Sequence, residues 1–200
     1  MTRYIWQNKN WTDFKWDNQG LIRFLGECRL KQGKLLGRVA SLGFDLGNKA
    51  QIEILSEEVT KSAAIEGQRL DANSVRSSVM RALGFPAEGR FDRNVDGFVS
   101  MLLDATQNHT KALTKSRLFS WHASLFPTGY SGMRKITTGK WRFGPDPMQV
   151  VSGPAKRERV HYQAPPSVQV PVEMDKFLNW WNKKFRDGDG LLRSALAHFW

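Results

Sequence analysis

Residues 61–70, KSAAIEGQRL, place two polar side chains where a helical apolar stripe should continue. The stripe runs at intervals of three and four through Ile52, Leu55, Val59, Ser62 and Glu66. Glu66 is therefore predicted on the core-directed face of a helix over 48–67, with Gly67 as the residue that ends it. A negative charge in the last turn opposes the helix dipole, so this position needs an explanation.

Two interpretations of Glu66 follow from its spacing. In the first, Ser62 and Glu66 pair with each other, or with a neighbouring arginine, across one helical turn near the surface. In the second, Glu66 occupies or masks an anion-binding site that another part of the molecule supplies. The spacing does not choose between them.

Composition points to a soluble globular protein with one domain or two small ones, since 40% of the 200 residues are hydrophobic and 24% are charged. The single cysteine, Cys28, excludes an internal disulfide framework. It lies on an apolar helical stripe, which predicts a buried thiol in a reducing compartment. The sequence has no signal-like start and no run long enough to span a membrane, so we expect a cytoplasmic protein without a membrane partner.

The net charge of +11 raises the question of nucleic acid, because basic surfaces attract phosphate backbones. The basic residues are spread along the chain, however, and no known nucleic-acid-binding motif accompanies them. Nucleic acid is therefore an unfavoured partner. A basic surface that faces an acidic or nucleotide ligand fits the charge equally well.

The pattern of residues 1–46 predicts an aromatic arm followed by one long helix. The arm carries Trp6, Trp11, Phe14 and Trp16, and it is expected to pack onto the body of the protein. The helix is predicted from Asn18 to about Leu46. Its apolar residues recur with a period of seven residues, which indicates one continuous packing seam. The seam consists of Leu21, Leu25, Cys28, Leu35, Val39, Leu42 and Leu46.

Three further helices are predicted before residue 127, each with an apolar face, and the first and third of them have a polar cap. Asp71 or Asn73 caps the first, and Thr114 caps the third. The inner faces are formed by Val75, Val79 and Leu83, by Val95, Phe98, Val99, Leu102 and Leu103, and by Leu118, Trp121, His122 and Leu125. His122 has no carboxylate or cysteine nearby in the sequence, so we interpret it as a hydrogen-bonded core histidine.

Residues 129–166 change in composition and predict a β-hairpin, with strands 148–151 and 159–162. The hairpin is either a simple surface feature with a solvated basic tip at Lys156, Arg157 and Arg159, or an edge that captures an extended peptide by strand addition. Two amphipathic helices follow, beginning near Val172 and Leu191.

These features together resemble the N-terminal part of a Fic-domain protein. Residues 62–67, SAAIEG, match the inhibitory-helix motif of that family, (S/T)xxxE(G/N), and 75–78 with 83–84 resemble the segment that follows it. Residues 139–166 resemble the flap hairpin that docks target proteins, and the aromatic arm with the first helices resembles an extra N-terminal domain of one bacterial branch. The resemblance implies a mainly α fold, a multi-helix bundle with one small β-hairpin flap.

The resemblance also implies a division of the chain and a set of functional residues. It predicts an arm and long helix over 1–50 and an incomplete Fic-like domain over 51–200. The regulatory residues would be Ser62, Glu66 and Gly67. The target-docking residues of the flap would be Val150, Val151, Ser152, Gly153, Val160, His161 and Tyr162.

The implied activity is transfer of AMP from ATP, with Mg²⁺, to a hydroxyl-bearing serine, threonine or tyrosine of a target protein. In that family the inhibitory glutamate pairs with an active-site arginine and prevents productive seating of the ATP γ-phosphate. Glu66 would take this role and Ser62 would help to hold the helix. A carboxylate that faces an arginine is compensated, whereas one buried alone would be costly.

The catalytic signature HxFx(D/E)GNGRxxR occurs nowhere in the 200 residues. By the family's order it should begin within a few residues after Trp200, so we expect a truncated protein that does not transfer AMP efficiently or bind ATP tightly alone. The alternative is a stand-alone, antitoxin-like inhibitor of a separate Fic core. The sequence does not decide between a monomer and a homodimer, or whether the intact enzyme also removes AMP.

Overall fold

The computed structural model describes residues 3–41, 44–89, 91–154, 157–183 and 189–200, with only the backbone described at 44 and 45. Over these ranges the chain is mainly α-helical, as predicted. The helices are α1 Asn18–Ala40, α2 Phe44–Ile65, α3 Ala72–Ala82, α4 Arg93–Gln107, α5 Lys115–Leu125, α6 Val170–Asn182 and α7 Gly190–Phe199. Two antiparallel pairs complete it, β1 Tyr130–Ser131 with β2 Arg134–Lys135, and β3 Gln149–Ser152 with β4 Arg159–Gln163.

The chain divides into two compact units. One consists of Met1–Arg29 and Trp141–Trp200, and the other of Leu30–Lys140. These compact units do not test the predicted domain boundary between residues 50 and 51, so that boundary stays a prediction.

The unit Leu30–Lys140 contains an aliphatic core. Its largest fully buried side chains are Val59, Val75, Val79, Val95 and Val99. The predicted inner faces of α3 and α4 are thus confirmed. The predicted caps also form: the Asp71 carboxylate accepts a hydrogen bond from the Ser74 amide at 2.8 Å, and Thr114 Oγ1 accepts one from the Arg117 amide at 3.2 Å.

Helices α4 and α5 approach closely because Gly97 has no side chain. A Cβ atom at this position would lie 1.9 Å from the carbonyl oxygen of Ser124. Next to this crossing, Asp104 accepts hydrogen bonds from Arg117 Nε at 2.9 Å and from Trp121 Nε1 at 2.7 Å. Both contacts join α4 to α5.

His122 is half-buried, and its Nδ1 accepts a hydrogen bond from the Gly139 amide at 3.3 Å. Its ring centroid lies 5.1 Å from that of Phe126. The predicted hydrogen bond of His122 is therefore confirmed, whereas its predicted place in the core is wrong, because no residue of α5 is buried.

The other unit is built around aromatic rings. The arm packs on α7, since Trp11 and Phe14 contact Trp200 edge-on at centroid distances of 5.6 and 6.4 Å. The α7 helix is capped by Asp189, whose carboxylate accepts from the Leu191 amide at 2.7 Å and from Arg29 Nη2 at 2.6 Å. The predicted packing of the aromatic arm is confirmed within this unit.

The prediction of one long helix is wrong about where the helix ends and about whether its apolar face is buried. Helix α1 ends at Ala40, α2 already begins at Phe44, and no residue of α1 is buried. The apolar rhythm continues across the break, which is why the sequence pattern did not reveal it, and Leu42 lies outside the described residues. Cys28, predicted as a buried thiol, is exposed.

Candidate functional site

The end of α2 is closed by backbone hydrogen bonds around Gly67. Gly67 has a φ of +74°, its amide donates to the Ala64 carbonyl at 3.0 Å, and the Gln68 amide donates to the Ala63 carbonyl at 2.9 Å. This pair of bonds is a Schellman motif, in which a glycine adopts the left-handed conformation at little cost. The predicted role of Gly67 as the terminating residue is confirmed, and Glu66 becomes the C-cap.

The Glu66 side chain is exposed, which corrects the prediction that it points toward the core. The core positions of α2 are Ile52, Val59 and Ala63. Glu66 follows Ile65, the last residue of α2, so it lies in the turn that Gly67 makes and beyond the stretch from Ile52 to Ala63 that packs against the core.

Ser62 is half-buried, and its hydroxyl donates to Glu58 Oε1 at 3.4 Å. It does not pair with Glu66, so the interpretation of Ser62 and Glu66 as a mutual pair is not supported. Within the described ranges, the Glu66 carboxylate forms neither an ion pair nor a side-chain hydrogen bond. The nearby cation Lys61 is engaged by Glu57 at 2.6 Å, and this pairing lowers the pKa of the Glu57 carboxyl.

An exposed carboxylate at the negative end of a helix has unfavourable electrostatics unless a cation is supplied. A guanidinium is a suitable partner because it can donate two parallel hydrogen bonds to one carboxylate. The arrangement at Glu66 can therefore bind a cationic group brought to it, while the core side of α2 holds the helix in place.

The predicted flap residues lie together on the hairpin β3–β4. Val150 pairs with Tyr162 and Val151 with Val160, and the register shifts between Val150 and Val151. Every residue of β3 is exposed, so its side chains are accessible to another molecule. The Ser152 hydroxyl and His161 Nε2 are hydrogen-bonded at 2.6 Å across the pair.

The hairpin turn begins at Gly153, where φ is +102° and a Cβ atom would lie 2.9 Å from the Arg157 carbonyl oxygen. Glycine is therefore required both for the backbone conformation and for space. Of the predicted basic tip, Arg157 and Arg159 are exposed, and Lys156 lies outside the described residues.

The base of the flap is anchored by Trp6, which was not predicted to contact it, and by Arg142, which lies in the predicted flap segment but was not among the predicted docking residues. Trp6 Nε1 donates to the Gln163 carbonyl at 2.6 Å, and the Arg142 guanidinium donates to the Pro165 carbonyl. Tyr162 packs edge-on against Tyr4 at 5.6 Å, and burial raises the pKa of its phenol, with Arg142 opposing that shift. The abundance of aromatic residues in the arm was a signal for packing, but it did not identify the partner strand.

Among the residues that the structure describes, no group of three or more His, Cys, Asp or Glu side chains could hold a metal ion. The glycine-rich anion cradle of the catalytic signature is also absent from the sequence. Among the helices described, none combines the length and apolar character needed to cross a membrane.

Comparison with known proteins agrees with this architecture. A family model described as a domain of unknown function, DUF4172, matches residues 4–85. The crystal structure of a Fic family protein from Desulfovibrio desulfuricans G20 matches with a TM-score of 0.55 and 19% sequence identity. That match covers 93% of this chain and 51% of the other, so the chain spans about half the length of that protein. No curated protein sequence matches.

At this level of identity the match concerns the fold. The chain has the fold of the corresponding half of a Fic family protein, a mainly α architecture with a small hairpin. The predicted Fic resemblance is confirmed to that extent, while the roles of Glu66 and of the flap remain predictions.

Proposed function

We propose that this chain is the regulatory and target-docking portion of an autoinhibited Fic-type adenylyltransferase. The observation that carries the proposal is the end of α2, where Glu66 of the motif SAAIEG is exposed, lacks a cationic partner within the described ranges and is positioned by a glycine-terminated helix. A helix anchored by Val59 and Ala63 holds this carboxylate in a defined place.

Glu66 inhibits by forming an ion pair with an arginine of the catalytic signature, which a further polypeptide segment supplies. That arginine is then unavailable to the ATP γ-phosphate, because one guanidinium cannot present the same donors to two anions. Ser62 contributes indirectly, since its hydroxyl is held by Glu58 on the preceding turn.

The flap contributes by holding the target polypeptide. Exposed β3 backbone and the side chains of Val150 and Val151 suit an extended segment that adds to the hairpin. The anchors at Trp6 and Arg142 keep the hairpin in position, so that less conformational entropy is lost on binding. ATP with Mg²⁺ would supply the AMP group when bound to the segment with the signature.

The test of inhibition uses a polypeptide in which this chain is joined to a segment with the catalytic signature. Glu66→Gly and Glu66→Gln should raise transfer of AMP from radiolabelled ATP to a hydroxyl-bearing target by about 5- to 150-fold, the range typical of regulatory coupling. The readout is label incorporated per minute at a fixed enzyme concentration.

The matched control is Glu57→Gln, which removes an exposed carboxylate from the same helix and leaves the contact between Ser62 and Glu58 in place. Label incorporation should stay at the wild-type rate in this variant. Equal rates for Glu66→Gln and the wild type, with helicity unchanged by circular dichroism, would contradict the inhibitory role.

The test of the flap removes residues 150–162. Modification of the target should be lost, while nucleotide binding measured by fluorescence of an ATP analogue stays unchanged, because the hairpin contacts the target. The control removes Gly132 and Met133, the turn of the other strand pair, which should leave modification intact. Target modification by the 150–162 deletion at the wild-type rate would refute the assignment.

The alternative function is an inhibitor of a separate Fic core, for which the exposed carboxylate of Glu66 would equally serve. Adding the isolated chain to a separately produced Fic core distinguishes the two functions. Inhibition in trans that depends on Glu66 supports the alternative, and inhibition only within one polypeptide supports the autoinhibited enzyme.

A further inference from the structure

The hairpin β3–β4 has one open edge. Within the described residues β3 pairs with β4 alone, and all four residues of β3 are exposed. Strand β4 is partly covered, and its Gln163 carbonyl already accepts a hydrogen bond from Trp6. A polypeptide segment that adds to this hairpin therefore joins it along the outer edge of β3.

The pairing register determines which side chains share a face of the hairpin. Ser152 lies opposite Arg159 and Val150 opposite Tyr162, and directly opposed residues of an antiparallel pair point to the same face. The register shift makes His161 the additional residue of a β-bulge, and its hydrogen bond with Ser152 places its ring on that face too. The face thus has Val150 and Ser152 at the open edge and Arg159 and His161 behind them.

The charge on this face is positive. Arg159 is exposed and, within the described ranges, its guanidinium forms neither an ion pair nor a side-chain hydrogen bond. The Arg142 guanidinium lies near the same face, since it opposes the rise that burial causes in the pKa of the Tyr162 phenol. Glu158 is the one acidic residue of the sequence from 149 to 163. It directly precedes Arg159 and therefore points to the opposite face.

Arg159 can reach a residue on an added strand. Neighbouring strands lie about 4.8 Å apart, so a strand added to β3 would lie about 10 Å from β4. An arginine and a glutamate side chain together span this distance, and the residue between them, Ser152, is small enough for the arginine to extend over it. A phosphate backbone could use the charge of Arg159 but has no strand-like N–H and C=O groups to pair with the open edge.

We infer, on the basis of the docking function proposed above, that the flap selects extended target segments in which an acidic residue lies two positions from an apolar one. The apolar side chain packs on Val150, and the carboxylate pairs with Arg159 across Ser152. The spacing of two follows from the alternation of side chains along a strand, and it is the same for a parallel and an antiparallel added strand. A basic residue at the acidic position is repelled by Arg159.

The first test titrates nine-residue peptides of serine and threonine into the ¹⁵N-labelled 200-residue chain. The peptides contain one valine and, two positions further on, a glutamate, a glutamine or a lysine. Shifts of the Val150, Val151 and Ser152 amide signals give the dissociation constants. The glutamate peptide should bind about fivefold more tightly than the glutamine peptide, the upper end of what an exposed ion pair supplies. The lysine peptide should bind most weakly, and the differences should shrink at high salt.

The second test reverses the charge on the flap. Arg159→Glu should invert the order, so that the lysine peptide binds more tightly than the glutamate peptide, and an inverted preference cannot result from unfolding. The matched control is Arg134→Glu, which makes the same change of charge at an exposed position of β2 and should keep the wild-type order.

The outcomes separate this inference from the docking function on which it rests. Equal affinities for the glutamate and lysine peptides, or a preference for glutamate that persists in Arg159→Glu, would overturn the charge selection and leave docking in place. Unchanged β3 amide signals with all three peptides would overturn docking along this edge, and the charge selection with it.

Discussion

The two compact units are stabilised by different kinds of packing. In Leu30–Lys140, valines from α2, α3 and α4 are completely buried in one aliphatic core. In the other unit, Leu178 is the one residue of the described part that is buried, and the packing consists of half-exposed aromatic rings from the arm, α6 and α7.

The difference shows how the two units depend on geometry. Aliphatic burial is non-directional and scales with the area removed from water, so the core tolerates small shifts but not added volume. Aromatic pairs prefer edge-on or offset arrangements, so their contribution depends on the angle between rings. Substitutions that add volume should therefore affect the first unit most, and substitutions that remove rings should affect the second.

The largest effect is expected from Gly97→Ala, which adds one methyl group at the closest approach of the aliphatic unit. Because the new Cβ would lie 1.9 Å from a backbone carbonyl oxygen, α4 and α5 must separate. The free energy of unfolding should fall by about 3 kcal/mol, at the upper end of overpacking effects. Denaturant titration followed by circular dichroism measures it.

The control is Gly33→Ala in the exposed helix α1, where a Cβ would meet no atom within 4 Å. It should raise the free energy of unfolding by about 0.4–1 kcal/mol, since alanine favours the helix and restricts the unfolded chain. Equal effects of the two substitutions would show that α4 and α5 do not approach as closely as described.

The second effect tests the polar contacts that join α4 to α5. Asp104→Asn removes charge-assisted hydrogen bonds from Arg117 and Trp121, and it should reduce the free energy of unfolding by about 1–3 kcal/mol at pH 7. The hydrogen bond from Arg117, followed by those from Asn108 and Trp121, lowers the pKa of Asp104 below its ordinary value of 3.8.

The sign of the pH dependence follows from that lowered pKa. The stabilisation by Asp104 is complete above pH 3.8 and is lost as the pH falls through the lower folded-state value. The difference between wild type and Asp104→Asn should therefore shrink below about pH 4. A difference that is constant from pH 7 to pH 3 would argue against an ionised Asp104 as the stabilising species.

The smallest effect tests ring geometry in the aromatic unit. Phe14 and Trp200 meet with an interplanar angle of 69°. A double-mutant cycle with Phe14→Leu and Trp200→Leu should give a coupling energy of about 0.5–1.5 kcal/mol. Strict additivity would mean that these rings contribute only by area, as aliphatic side chains do.

The sequence predicted the aliphatic unit well for a physical reason. The inner residues of α3 and α4 recur at helical spacing, and Asp71 and Thr114 occupy cap positions whose chemistry is local. The same method was wrong about the burial of Cys28 and the end of α1, because an apolar face shows that a helix is amphipathic without showing that anything covers it.

In the candidate site, local sequence preferences determine where α2 ends, and tertiary packing determines which side chains are exposed. Gly67 could be identified as the helix end because a left-handed residue there favours glycine. The orientation of the Glu66 side chain could not be predicted from the sequence. It depended on which of Ser62 and Ala63 packed against the core, and the neighbouring helices determine that.

The sequence by itself determined the helical periodicity, the caps, the glycine that ends α2 and the exposed, β-prone hairpin, because these depend on residues within a few positions of one another. Only the tertiary structure decided which apolar faces were covered, that Trp6 anchors the strand ending at Gln163, and that the Glu66 carboxylate is exposed. Those outcomes depend on segments distant in the chain, whose packing is set by shape and available volume rather than by local preference.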